Sequence, residues 1–383
     1  MTEMQPVFDR IDALFNQYLT FWMDICNLES PTSSKAGVDA VGAFCRARAE
    51  QLGWECEVCP QAVSGDALCL TMNPSAQQPP VVLSSHMDTV HPIGLFGTPA
   101  THCDGENIYG PGVADCKGGI VAAFLAMDAL QQCGYTARPV RLILQSDEEV
   151  SSATSNKETV KFMAEKARGC VAFLNGEPST EGKLTVERKG IIRYIFEIHG
   201  KAAHSSICYD GVSAIAETAH KILELEKWKD KDGITGTCSI INGGSAANTV
   251  PEICTLTVDV RYKTAAELEE VKQRVREIAD TSYVSGTTCK LTVKSERVSM
   301  EKTLKNIELF HKINRIYTQN GLSEVEPKAA NGGSDAADMT SYGIPCLDGF
   351  GVRGGRIHSR DEYAVISSLG DSAKRMAAII CGI

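Results

Sequence analysis

Three short apolar runs in the first half of the chain each end on an acid or a histidine, and that pattern narrows the fold more than any other feature. Val81-Val82-Leu83 runs into His86, Val140 to Gln145 runs into Asp147-Glu148-Glu149, and Val171 to Leu174 leads to Glu177. None alternates apolar with polar, so each reads as a strand covered on both faces, the habit of parallel sheets flanked by helices. Helical periodicity fills the gaps, at Gly118 to Gln132 and Lys157 to Ala167. Strands alternating with helices imply an α/β unit, and open sheets of that kind gather their chemistry just past the carboxyl ends of the strands. His86, Glu148, Glu149 and Glu177 all fall there.

The rest of the chain divides by pattern. Two helices open it, through Val7, Ile11, Leu14, Phe15 and Tyr18, then through Val38, Val41, Phe44 and Ala47 after the Pro31-Thr32-Ser33-Ser34 break; strands follow at Glu55 to Cys59 and Ala67 to Met72. From about Lys183 to Val298 the segments alternate instead (Ile191 to His199, Thr237 to Ile241, Cys254 to Arg261, Lys290 to Val293), with helical stretches at Val212 to Lys227 and Ala265 to Asp280. That is the pattern of an α+β unit with an antiparallel sheet and two helices. The α/β style then returns, with helix Leu304 to Asn320 and strand Pro345 to Gly349 leading to His358. The expected organisation is a mostly parallel-sheet α/β domain formed by residues 1–182 and 299–383, interrupted by an inserted α+β domain at 183–298.

A net charge of -10 over 383 residues gives no basic footprint for nucleic acid or an anionic membrane surface. The first residues show no basic stretch followed by an apolar run, and no segment approaches the roughly 18 to 20 apolar residues of a membrane span. A cytoplasmic protein is expected. Fifteen cysteines, an odd count, lie scattered in strand-like segments such as Ala67-Leu68-Cys69-Leu70, which suits reduced core thiols better than a disulfide framework. Cys56 and Cys59 form a C-x-x-C, but in an alternating run and with no second pair at zinc spacing, so neither a redox nor a metal role is read into them.

Taken singly, the polar phrases are ordinary. His86 with Asp88 can cap a strand, Asp115 after Gly110-Pro111-Gly112 can cap the helix that follows, and Glu148-Glu149 can be a solvated acidic turn. Glu177 precedes Pro178, and His358 stands in a glycine-rich loop. Taken together they offer imidazole and carboxylate without thiolate, a donor mix that suits a catalytic zinc, or a pair of them, better than a structural one. Adjacent acids such as Glu148 and Glu149 repel unless a cation lies between them or one stays protonated.

In this order the phrases resemble a known family, the zinc-dependent aminoacylase, desuccinylase and carboxypeptidase metallopeptidases, and within it the glutamate carboxypeptidases of the carboxypeptidase G type. The resemblance rests on His86-Met-Asp-Thr-Val, Tyr109-Gly-Pro-Gly-Val-Ala-Asp-x-Lys-Gly-Gly, Ser146-Asp-Glu-Glu, Glu177-Pro, Arg188-Lys-Gly, Gly200-Lys-Ala-Ala-His-Ser, Asn248-Thr-Val-Pro, Asp259-Val-Arg, Gly332-Gly-Ser-Asp-Ala and Ile357-His-Ser. It implies two zinc ions, with cobalt or manganese as other fitting metals, bridged by Asp115. His86 and Glu177 would complete one ion's ligands, Glu149 and His358 the other's. Glu148 would be the general base and Asp88 the group that orients His86. His204 would reach an oxyanion from a partner subunit, which makes the inserted domain a dimerisation domain and the protein a homodimer. Asn248, Arg261 and Lys183 would contact the oxyanion or a substrate carboxylate, with Gly333 in a loop of close backbone approach. Alone, His204 is a surface histidine and Arg261 a cover for an exposed sheet face.

The sequence departs from the family's pattern at Ser85, at Cys116 and in Gly355-Arg356-Ile357 before His358, without removing a ligand. The expected function is hydrolysis of an amide next to a free carboxylate in a small peptide or N-acyl amino acid, as in a carboxypeptidase releasing C-terminal glutamate. An N-acyl-amino-acid deacylase, desuccinylase or dipeptidase is the alternative, and a non-catalytic amino-acid or peptide binding protein the alternative of another class. Gly110-Pro111-Gly112 lacks the spacing of a dinucleotide-binding loop.

Overall fold

The computed structural model describes residues 3–383. Its contacts divide the chain into two units, one reaching to Val186 and including Lys302–Ala329 and Ser334–Ile383, the other comprising Glu187–Glu301 with Ala330–Gly333.

The first unit is built on an eight-stranded sheet. Its centre is parallel: Val81–His86 pairs with Val140–Gln145 on one side and with Ala172–Asn175 on the other, and Cys346–Asp348 pairs parallel with Ala172–Asn175. Antiparallel strands flank it, Ala67–Met72 and Glu55–Cys59 at one edge and Lys183–Arg188 toward the other, where Glu326–Ala330 is outermost. This is the mostly parallel α/β architecture that the apolar runs imply. Helix Lys117–Gln132 is buried from Lys117 to Leu130, on every face. Helices Gln5–Asn27 and Ser368–Gly382 both pack on it, which explains why its sequence carries apolar residues all round. The C-terminal helix has a clear apolar face through Leu369, Ala373, Met376 and Ile380 and lies beyond the elements expected from the sequence.

A second, small sheet in this unit has no counterpart in the sequence pattern. Its order is Gly354–Gly355, Tyr363–Val365, Asn107–Tyr109, His102–Cys103. Strands of two or three residues leave no periodic trace, but this sheet ties the segment before Asp115 to the segment after His358, with Tyr363 opposite Tyr109.

The second unit is a four-stranded antiparallel sheet in the order Thr235–Gly243, Ile253–Tyr262, Gly190–His199, Thr288–Arg297. Helices Ala214–Leu225 and Ala265–Asp280 cover one face, closing a core around Ile192, Phe196, Val258 and Val271. Each helix opens on a hydroxyl cap: Ser213 accepts from Ala216 N–H, and Thr264 from Glu267 N–H. Among the described residues no helix is long and apolar enough to cross a membrane.

Candidate metal centre

Strand Val81–His86 delivers His86 at its carboxyl end, buried at 2% exposure. The ring Nδ1 lies 2.9 Å from the Asp88 carbonyl oxygen and 3.4 Å from the Asp88 carboxylate, which turns Nε2 toward Asp115 Oδ1 at 3.1 Å and Glu177 Oε1 at 3.8 Å. The Asp88 carboxylate has a second task. It accepts the backbone N–H groups of Glu148 (3.1 Å) and Glu149 (3.2 Å) and the Thr32 hydroxyl (2.7 Å). One carboxylate therefore sets the single 3₁₀ turn Glu148–Val150 that follows strand Val140–Gln145.

Asp115 arrives on a loop that needs its glycines. Gly112 has φ +71, and a Cβ on Gly119 would stand 2.2 Å from the Gly176 carbonyl oxygen, so the helix start can press against the Gly176-Glu177 segment only because glycine is there. Trp22 Nε1 donates to the Val113 carbonyl at 3.0 Å and braces the same loop. Asp115 Oδ2 faces His358 Nε2 at 3.2 Å, and that nitrogen is also 3.2 Å from Glu149 Oε2.

The outcome is two groups of donor atoms that share Asp115. His86, Asp115, Cys116 and Glu177 form one, and Asp115, Glu149 and His358 the other; within each group the donor atoms lie within 4.8 Å of one another. The first group is buried throughout, whereas the His358 side chain is 52% exposed.

The electrostatics describe an overcrowded acid cluster. Burial pushes the Glu177 carboxyl well above its usual range, and the charges of Asp115 and Glu148 add to this. Burial likewise lifts Glu149 to about 7 in spite of its hydrogen bond from His358. Burial alone would raise Asp115, but hydrogen bonds from His358 and His86 hold it below the ordinary carboxylate range. Those to Asp115 and Glu149 in turn carry His358 up to about 10. Histidines and carboxylates in this arrangement hold protons that divalent cations would replace, and nitrogen and oxygen donors of these kinds fit one such ion per group. Cys116 is the exception in chemistry: its thiol donates to the Gly176 carbonyl at 2.8 Å, and burial pushes it well above its usual value.

The remaining sequence candidates fall in separate places. In the second unit His204 and Asn248 are neighbours, His204 pairing opposite Thr249 while Ser205 N–H donates to the Asn248 carbonyl at 2.8 Å. Ser206 occupies His204 Nδ1 at 2.8 Å, leaving Nε2 as the outward nitrogen of an exposed ring. Arg261 forks onto Asp259, with Nε 2.7 Å from Oδ1, and reaches the Asn331 carbonyl at 3.3 Å. Arg188 donates to the Gly332 carbonyl at 3.0 Å, and Gly333 leaves room for the Arg297 side chain. Lys183 is set apart: it lines a 310 Å³ cavity with Ser179, Arg353 and Arg375, where no donor of either metal group appears. Cys56 and Cys59 lie on one strand, three residues apart, and so project to opposite faces.

Three residues hydrogen-bonded around these donors have no signal in the sequence. Thr32 supports Asp88, and Glu362, paired with His91 at 2.7 Å, accepts N–H groups from the Asp115 loop. Each is a lone polar residue in a loop, where no periodicity distinguishes a buried partner from a solvated one.

Two groups of acid and histidine donors around one shared aspartate suit a pair of divalent cations. The chain belongs to peptidase family M20/M25/M40, whose model matches residues 82–381. It is 26% identical over 352 residues to carboxypeptidase G2 of Pseudomonas sp. (strain RS-16), covering 90% of this chain and 84% of that protein. A tripeptidase from Staphylococcus aureus has the same fold, with a TM-score of 0.80 at 22% identity over 95% of this chain and 97% of that one. So has a dinuclear metal binding peptidase of family M20 from Bacillus subtilis, with a TM-score of 0.72 at 16% identity over 96% of this chain and 98% of that one. The protein is a metallopeptidase or amidohydrolase of this family.

Proposed function

We propose that the chain is a dizinc carboxypeptidase that hydrolyses an amide next to a free carboxylate and releases a C-terminal glutamate or a similar amino acid. The observation that carries this reading is Asp115 standing between two donor groups, one completed by His86 and Glu177 and the other by Glu149 and His358. Glu148, buried beside Glu149 on the same turn, is the group left for proton transfer.

A pair of divalent cations so held supplies Lewis acidity, lowering the pKa of water and polarising a carbonyl; the donors suit zinc, and cobalt or manganese also fit them. Glu148 takes a proton from the attacking water and returns it to the leaving amine. Asp88 keeps Glu148 in place through the backbone N–H it accepts. His204 of the partner subunit donates from Nε2 to the developing oxyanion, with Asn248 beside it. Arg261 offers the remaining N–H groups of its fork to the substrate carboxylate.

The similarity to carboxypeptidase G2 supports the substrate reading, and an exposed sheet edge supports a homodimer. Strand Thr235–Gly243 lies at the edge of its sheet with Ile240 and Ile241 about half exposed, and an open apolar edge invites pairing with another copy. Cys26, Cys45, Cys69 and Cys254 are buried in the cores as thiols, which suits a reducing, cytoplasmic setting. The deciding experiment replaces Glu148 with Gln. Turnover of a glutamyl amide is lost while metal content stays at about two ions per chain; an unchanged rate removes the mechanism. Parallel assays on N-acyl amino acids and dipeptides separate the carboxypeptidase from a deacylase or dipeptidase.

A further inference from the structure

One fully buried carboxylate beside the site has no part in the mechanism above. Glu362 is 0% exposed and stands four residues after His358. Its Oε1 accepts the backbone N–H groups of Ala114 (3.0 Å) and Asp115 (3.1 Å). Its Oε2 accepts the Gly112 N–H (3.3 Å) and faces His91 Nε2 at 2.7 Å. The Glu362 carbonyl accepts Gly110 N–H at 3.4 Å, and the next residue, Tyr363, pairs opposite Tyr109. Three backbone N–H groups turned onto one anion make a nest. A buried carboxylate persists where its lone pairs are filled and its charge is met.

The segments joined at this carboxylate are the ones that carry His86, Asp115 and His358. His91 follows His86 by five residues, the N–H groups belong to the Asp115 loop, and Glu362 continues the His358 turn, its own N–H donating to the Ser359 carbonyl at 3.2 Å. We propose that Glu362, oriented by His91, is a positioning residue that fixes Asp115 relative to His358 and thereby sets the affinity of the cation these two residues share. This rests on the ligand assignment above. The backbone N–H of Asp115 is one residue's own geometry away from its carboxylate, so releasing that N–H lets the side chain turn from His358.

Glu362→Gln preserves shape and one acceptor oxygen while placing an NH₂ group against either the loop N–H groups or His91. Titration of the metal-free protein with zinc against a competing chelator, and the visible absorption of its cobalt(II) form, read the effect without reference to activity. Zinc affinity falls about 10- to 100-fold, the range seen when partners of metal ligands are removed, and the cobalt spectrum changes. His91→Gln, which can still donate to Oε2, retains more affinity than His91→Phe, which cannot; this pair keeps the test alive should Glu362→Gln not fold.

Unchanged zinc affinity in Glu362→Gln and His91→Phe, with only a lowered melting temperature, reduces the pair to a structural ion pair and overturns the proposal. Asp115→Asn and His358→Ala serve as references. If they lose zinc and Glu362→Gln does not, the ligand assignment stands and the positioning role falls. If they too keep zinc, the ligand assignment itself has failed.

Discussion

Replacing Asp88 with Asn alters charge and hydrogen-bonding capacity with little change in shape, and the structure sets the size of the effect. Asp88 Oδ1 accepts Glu148 N–H, and Oδ2 accepts both Glu149 N–H and the Thr32 hydroxyl. An amide has one acceptor oxygen, so in either orientation one backbone N–H meets an NH₂ donor. Losing a hydrogen bond to a charged acceptor costs about 1.5–3 kcal/mol, and stranding a buried donor about 1–3 kcal/mol. These overlap, and about 3 kcal/mol is a fair combined figure. Because the two N–H groups belong to the turn that carries Glu148 and Glu149, the penalty falls on the geometry of the proposed base and of a proposed ligand. A full 3 kcal/mol lost in the transition state lowers kcat/KM by roughly 150-fold. Thr32→Val removes only a hydroxyl donor and leaves both N–H bonds, so it costs about 1 kcal/mol or roughly fivefold. The assay is kcat/KM at verified metal content, with urea unfolding of the same samples. Asp88→Asn with both activity and unfolding midpoint unchanged would show that the carboxylate does not hold the turn.

Other expectations are as direct. If His204 acts across a dimer, mixing inactive Glu148→Gln with inactive His204→Ala protein restores activity, to about a quarter of wild type at random subunit exchange; no recovery after proven exchange places His204 in its own subunit or outside catalysis. Gly119→Ala forces a methyl against the Gly176 backbone and lowers stability by about 1–3 kcal/mol in urea unfolding, with metal content falling alongside. Asp104 is held at about 2 chiefly by the N–H groups of Asn107 and Glu106. Its folded value lies below the unfolded one, so its contribution is present above about 3.9 and is lost as pH falls through about 2; Asp104→Asn flattens thermal stability across that window.

Legibility in the sequence followed the size of the repeating signal. Buried parallel strands such as Val81–His86 and Val140–Gln145 are runs of apolar residues, and their ends could be located to within a few residues, which is why the donors at those ends stood out. The helix Lys117–Gln132 was legible as the helical stretch from Gly118 to Gln132, whereas the close approach of its glycines to Gly176 shows only in coordinates. Strands Asn107–Tyr109 and Tyr363–Val365 are three residues each, too short for any period, although they register the Asp115 and His358 segments against one another. Arg261 illustrates a different gap: sequence supplies the guanidinium, but only coordinates show Asp259 already holding one side of its fork. His358, at φ +62, lies in the left-handed region, which few non-glycine residues adopt and which no pattern in the sequence assigns to this one.

The way the chain enters and leaves its second unit carries a thermodynamic consequence. Arg188 and Met300 exchange both backbone hydrogen bonds, each at 3.0 Å, so the ends of more than a hundred intervening residues sit side by side, about 5.5 Å apart for such a pair. Once that unit has folded it presents itself to the remainder of the chain as a hairpin would. The parallel sheet then closes over a loop whose effective length is a few residues, and the entropy of spanning the insertion is met inside the insertion. Changes of length inside the segment between Arg188 and Met300 therefore add little to the closure entropy of the sheet, while the contacts of that segment with Ala330–Gly333 must be kept.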